Sequence, residues 1–279
     1  NDMLWRSGGQ TITQLKGGNT NLENYFTSWN GGAFDPVTKK LWIAAQGGDS
    51  DGADNGIYTF DLTTGLWSLV TPPTPDLIPA LSQIGTWLYV DTAGTYGPVG
   101  KIYPQSRHTY GASIAIPGVG AWIGGGVAWH PYSIVQTDIA KTWHAALSGW
   151  QGPFDSVGSY NEGRWGAWDS IRNRVLYQDN DRLRAYDPAK SIGSRVVAID
   201  DGSQPSDSRN RFCSGAFDSK RNRLVGACIL SSGTPTLEGF DLGTVPIKRK
   251  TFLSSAPWPS WTTAPGFLYD PISDKYVLW

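Results

Sequence analysis

The sequence predicts an all-β chain assembled from repeated four-stranded antiparallel sheets, and three observations carry that prediction. One stretch comes back: Phe34-Asp35-Pro36-Val37-Thr38-Lys39-Lys40-Leu41-Trp42 is followed by similar runs at Trp168–Leu176, Phe217–Val225 and Tyr269–Val277. Short apolar runs bounded by Gly, Pro, Asp and Asn fill the chain, and no long stretch has helical periodicity. The composition agrees: 34 Gly, 18 Pro and 14 Trp stand among 279 residues, with only three Glu (Glu23, Glu162, Glu238), as suits a chain of turns rather than helices.

Each copy of the repeat reads aromatic, Asp, Pro or Ser, two variable residues, a Lys, Asn or Asp, a second polar residue, and an apolar run. That is hairpin chemistry. The Asp carboxylate caps the turn, Pro or Ser opens it, and Asn or Asp tolerates a left-handed conformation near its end. Lys39 suits that last position less well than Asn173, Asn222 or Asp274.

Taken in order, Met3–Arg6 and Thr11–Leu15 read as two short strands, followed by a polar linker over Lys16–Asn24. The first full unit has strands at Gly31–Phe34, Lys40–Ala44, Gly56–Phe60 and Leu66–Val70. A second is read at Tyr110–Ile116, Ala121–Ile123, Ser133–Gln136 and Lys141–His144. A third runs from Trp165 to Ile199 and a fourth from Phe212 to Leu253. The chain ends on half a unit, Gly266–Tyr269 and Lys275–Trp279.

Half a unit at each end is the informative feature. The C-terminus offers the first two strands of a sheet and the N-terminus the last two, so together they finish a fifth. Repeats of this period indicate a propeller or solenoid. A shared unit favours a closed ring, because closure removes exposed sheet edges. The expectation is a single β-propeller domain over 1–279, with five blades favoured and six the alternative. The segment 71–107 is then either an elaborated loop or a degenerate blade.

A formal charge of −1 gives no reason to expect nucleic acid, and no apolar run nears the ~20 residues that span a bilayer. If Asp218 faces Arg223 across its hairpin, Cys213 and Cys228 face each other in the same register. They are then either a cross-strand disulfide or two buried small residues. A bridge favours an oxidising compartment.

The first two units resemble kelch-type repeats. The resemblance is carried by Leu41-Trp42-Ile43-Ala44-Ala45-Gln46-Gly47-Gly48 with Phe60–Trp67, and by Ala121-Trp122-Ile123-Gly124-Gly125-Gly126 with Thr137–Trp143. Ser106–Gly111 looks like the lead into many bacterial kelch blades. The third and fourth units lack both the Gly-Gly and the fourth-strand Trp. The resemblance implies a kelch-like propeller related in architecture to galactose-oxidase-like proteins. It leaves activity open, since such folds host enzymes and binding scaffolds alike.

A four-stranded blade sends its connections alternately to two faces. Arg107, His108, Tyr160, Glu162 and Arg164 lead into first strands, while Trp129, His130, Asp49, Asp51 and Asp54 lie in loops of the same face. His108, His130, Tyr160 and Arg164 resemble the His/Tyr/Arg sets of propeller-fold polysaccharide lyases, in which a cation neutralises a uronate and His or Tyr moves protons. The bland reading of His108 is a hydrogen-bonded structural residue, and of His144 outer-surface structure.

Asp49, Asp51 and Asp54 have calcium-loop spacing, but Phe60 stands where such a loop needs Glu. A solvated turn is the competing reading, and no cofactor is expected unless Ca2+ binds there. Trp42, Trp67, Trp122, Trp143 and Trp168 read as core; Trp29, Trp129, Trp150, Trp258 and Trp261 read as loop aromatics able to stack on sugars. Arg107, Trp129, Glu162 and Trp29 are therefore the expected ligand-binding residues. The leading expectation is a non-catalytic propeller that binds a glycan or protein partner at its loop face, secreted, cell-surface or virion-borne, and a candidate component of a larger assembly. The alternative is a lyase of uronate-containing glycans.

Overall fold

A computed structural model of the chain describes residues 32–45, 55–72, 104, 107–124, 127–128, 142–156, 164–179, 182–202, 213–229, 235–253 and 265–278. These residues form four four-stranded antiparallel sheets and two two-stranded sheets in a β-propeller arrangement. Blade 1 is β1 (Ala33–Asp35), β2 (Lys40–Ala44), β3 (Ile57–Asp61) and β4 (Leu66–Thr71). Blade 2 is β6 (Ser113–Ile116), β7 (Gly120–Gly124), β9 (Thr142–Ala146) and β10 (Gly149–Gln151). A short ribbon of β5 (Arg107–His108) and β8 (Val127–Ala128) accompanies it. Blade 3 is β11 (Trp165–Asp169), β12 (Arg174–Asp179), β13 (Arg182–Tyr186) and β14 (Val196–Ala198). Blade 4 is β15 (Ser214–Asp218), β16 (Arg223–Ile229), β17 (Pro235–Asp241) and β18 (Arg249–Leu253). The pair β19 (Phe267–Asp270) and β20 (Lys275–Leu278) follows.

First strands meet in sequence around the centre, β1 against β6, β6 against β11, β11 against β15 and β15 against β19. Their approach is close enough to require glycine. A Cβ on Gly215 would lie 2.4 Å from the Gly166 carbonyl oxygen, and one on Gly111 would lie 2.6 Å from that of Cys213. Aromatic and aliphatic side chains fill the seams. Trp42 and Trp143 share one cluster between blades 1 and 2. Trp122 packs on Tyr177 and Tyr186 between blades 2 and 3, at ring separations of 5.1 and 5.7 Å. Trp165 packs with Leu176, Leu224 and Phe240 between blades 3 and 4.

The recurrent turn behaves as its chemistry dictates. Asp35, Asp169 and Asp218 are fully buried. Asp35 accepts from the Val37 amide at 2.9 Å, Asp169 from Ile171 and Arg172, and Asp218 from Arg221. Lys39, Asn173, Asn222 and Asp274 all have positive φ, between 52° and 56°. Neighbouring turns are tied together through the same carboxylates. Gly118 of blade 2 donates to Asp35 of blade 1. Arg172 reaches Asn222 at 2.8 Å, and Arg221 grips both Asp218 and Asp274. Tyr276 donates to Asp218 at 2.6 Å. Burial pushes Asp218 up, but the bonds from Tyr276 and Arg221 outweigh it and hold the carboxyl below its usual range. Arg221 and Tyr269 hold Asp274 at about 2.

Asp218 faces Arg223, and Cys213 and Cys228 form a disulfide with Cα atoms 4.3 Å apart. The second blade departs from the sequence reading. Its third and fourth strands are Thr142–Ala146 and Gly149–Gln151, not Ser133–Gln136 and Lys141–His144. The reason is the two-residue turn Leu147-Ser148, closed by Gly149 at φ 100°, which competes with Asp138–Lys141 for the role of hairpin. Trp143 is consequently on the third strand, so the second kelch-like Asp-turn-Trp match does not hold. Residues 133–136 lie outside the described residues, as do Met3–Arg6 and Thr11–Leu15.

Candidate functional site

Chain direction fixes which side chains share an end of the propeller. Strands β1, β6, β11, β15 and β19 begin at one face, where β2, β12 and β16 end, and this loop face is where the predicted site falls. Of its residues, Arg107, His108 and Arg164 are among those described. His130, Tyr160, Trp129, Glu162, Trp29, Asp49, Asp51, Asp54, Trp258 and Trp261 lie outside them, and no group of His, Cys, Asp or Glu able to hold a metal occurs among the described residues.

Arg107 is buried, and its amide donates to the Ala45 carbonyl of blade 1 at 2.8 Å. Through β5 it pairs with Ala128, and His108 pairs with Val127. Nearby, Asn55 Nδ2 donates to the Pro104 carbonyl at 2.9 Å. The lead into blade 2 therefore crosses the top of blade 1 and places the chain immediately before Trp129 beside it.

Arg164 precedes β11 and is 1 % exposed. Its Nε and Nη2 both donate to Asp179 Oδ1, at 3.1 and 3.0 Å, and Arg184 Nε donates to Asp179 Oδ2 at 3.0 Å. Burial lowers the Arg164 guanidinium from its ordinary value, with Asp179 opposing the shift. Burial likewise raises the neighbouring Tyr177 phenol out of the titratable range. Arg184 is more open, with 26 % of its side chain exposed. One residue pair further out, Arg182 Nε donates to Asp200 at 2.8 Å. The loop end of blade 3 is thus a row of arginines braced by two buried carboxylates.

Two expectations are displaced. His144 is buried rather than on the outer surface, because the true third strand packs against blade 3. Its Nε2 lies 2.7 Å from the Tyr186 hydroxyl, and its ring contacts Phe154. Burial, aided by Arg195, lowers His144 from 6.5 to about 4. Trp150 lies on β10, where its Nε1 donates to the Asn55 carbonyl at 3.0 Å and its ring meets Trp143 edge-on. It is a seam residue, not a loop aromatic.

Sequence reasoning missed Asp179, Arg184, Tyr186 and Arg195. The first two were within reach of register arithmetic, since Asp179 faces Arg182 and Tyr177 faces Arg184 across one hairpin.

No family model matches the chain, and no curated protein matches it. Among solved structures, the chain is similar in arrangement to an auxiliary nutrient binding protein from Bacteroides thetaiotaomicron. The similarity has a TM-score of 0.42 at 10 % identity, over 88 % of this chain and 50 % of that one. The chain spans half the length of that protein.

Proposed function

We propose that the chain is a non-catalytic, kelch-like binding propeller that takes an acidic glycan at the loop end of blades 2 and 3. The observation that carries this reading is the division of labour on Asp179. Arg164 is buried and held by two N–H groups, while Arg184, on the other carboxylate oxygen, keeps part of its side chain open to solvent. Such a pair supplies a fixed positive patch able to receive a carboxylate through charge-assisted hydrogen bonds. Trp129, next in sequence after β8, is the aromatic proposed to stack on the sugar ring, with Trp29, Arg107 and Glu162 as further contacts.

In this reading the ring has five blades. Met3–Arg6 pairs along the open edge of β20, and Thr11–Leu15 completes the sheet. The disulfide supports a secreted, cell-surface or virion setting.

The test is titration with uronate oligosaccharides followed by calorimetry, with ultraviolet absorbance of the mixture recorded in parallel. Binding that falls in Arg184→Ala, with no unsaturated product formed, is the expected result. An ultraviolet-absorbing product lost in His108→Ala would establish the lyase instead. No binding to acidic or neutral glycans would refute the glycan reading.

A further inference from the structure

The face opposite the loops carries an unusual pattern. Nine hairpin turns are described there, joining first to second and third to fourth strands. Turn tips normally carry Gly, Asn, Asp, Ser or Pro. Here eight of the nine expose a large aliphatic side chain: Val37, Val119, Ile171 and Ile272 near the axis, and Leu62, Leu147, Ile192 and Val245 further out. Val245 is 98 % exposed and Ile272 93 %. The ninth turn, in blade 4, carries Lys220 at the corresponding place.

Charge is distributed to match. Counting the nine turns with the residue on either side of each, there are twelve Lys or Arg and eight Asp, a net of +4, whereas the whole chain is −1. The remainder is therefore −5. Moreover, Asp35, Asp169 and Asp218 are buried as turn caps. Lys39, Lys190, Lys248 and Lys275 stand exposed between the aliphatic tips. Cross-turn bonds from Gly118 to Asp35, Arg172 to Asn222 and Arg221 to Asp274 tie neighbouring inner turns of this face to one another.

From this we infer that the turn face docks on an anionic lipid surface, with aliphatic tips entering the headgroup region and lysines meeting lipid phosphates. The tips are separate points ringed by lysines, which fits a flat, deformable surface rather than a contiguous apolar interface with a folded protein. A net positive face also repels a second copy of itself. Docked this way, the propeller presents its loop face away from the membrane. The inference is independent of the glycan reading, since it uses none of the same residues.

The experiment is co-sedimentation of the full chain with phosphatidylcholine vesicles, with and without phosphatidylglycerol, across a salt series. Partition into anionic vesicles that weakens with salt is expected. Val245→Asp combined with Ile272→Asp should reduce it at least about tenfold, and Lys248→Glu or Lys275→Glu by about fivefold each. Unchanged melting of these surface variants shows that the fold is intact. Equal sedimentation with and without phosphatidylglycerol overturns the inference. So does loss of binding in the lysine variants alone, which would mean surface charge without insertion. Retention on soluble polyglutamate with no vesicle partition overturns it in favour of an acidic protein partner.

Discussion

Acidification from pH 7 to pH 4 should destabilise this protein through one histidine, His144. The Tyr186 hydroxyl oxygen accepts from Arg195 Nη1 at 3.0 Å, while the Thr142 hydroxyl beside it donates to the Asp155 carbonyl. The Tyr186 proton can go to His144 Nε2, 2.7 Å away, when the imidazole is neutral with its proton on Nδ1. Arg195 also lies 4.2 Å from the Phe154 ring centroid, bringing a positive charge close to the imidazole. Burial first, and Arg195 second, lower the folded value from 6.5 to about 4.

The folded value is depressed, so the unfolded chain binds more protons throughout this window. The stability this histidine contributes is complete above pH 6.5 and is lost as pH falls towards 4. The loss amounts to about 3 kcal/mol. The carboxylates Asp61 and Asp274, lowered by their own hydrogen bonds, titrate below this window. Urea denaturation at half-unit steps of pH measures it directly. His144→Gln can still accept from Tyr186 but cannot titrate. It should start about 1 kcal/mol less stable at pH 7 and show a flatter profile between pH 6.5 and 4. Identical slopes in the two proteins would refute the assignment of the effect to His144.

Three further outcomes follow from the same contacts. Removing the Cys213–Cys228 bridge by reduction, or by replacing both residues with Ala, should cost about 3 kcal/mol, read as a lowered melting temperature under reducing conditions. Asp179→Asn strands the buried Arg164 guanidinium and should cost about 3–5 kcal/mol in chemical denaturation. Lys39→Gly relieves a left-handed non-glycine residue and should raise stability by about 1 kcal/mol, whereas Asn222→Ala should lower it.

Local chemistry was legible where the chain pairs with its near neighbours. The aromatic-Asp turn announced four hairpins and their left-handed residues, because a capping carboxylate and a positive φ act within five residues. The same register placed Cys213 opposite Cys228. Long-range packing was not legible. Leu147-Ser148-Gly149 and Asp138–Lys141 both read as turns, and only the fit of Trp143 against blade 1 and of His144 against blade 3 decides between them. The pairing of Arg164 with Asp179 went unread because Asp179 lies at the end of β12, 15 residues further on. The expected loop position of Trp150 failed for a similar reason, since it lies on β10 with its indole N–H bonded to Asn55 of blade 1.

The account depends most on the edge of β20. Its amides that do not face β19 have no strand beside them among the described residues, and the proposed ring gives them Met3–Arg6. Amide hydrogen exchange of the full chain, resolved at Lys275–Leu278, tests this most directly. A finished fifth blade predicts slow exchange at every second amide on that outer side, abolished when Leu4→Pro blocks the pairing. Rapid exchange at those amides in the unaltered protein would contradict the closed ring.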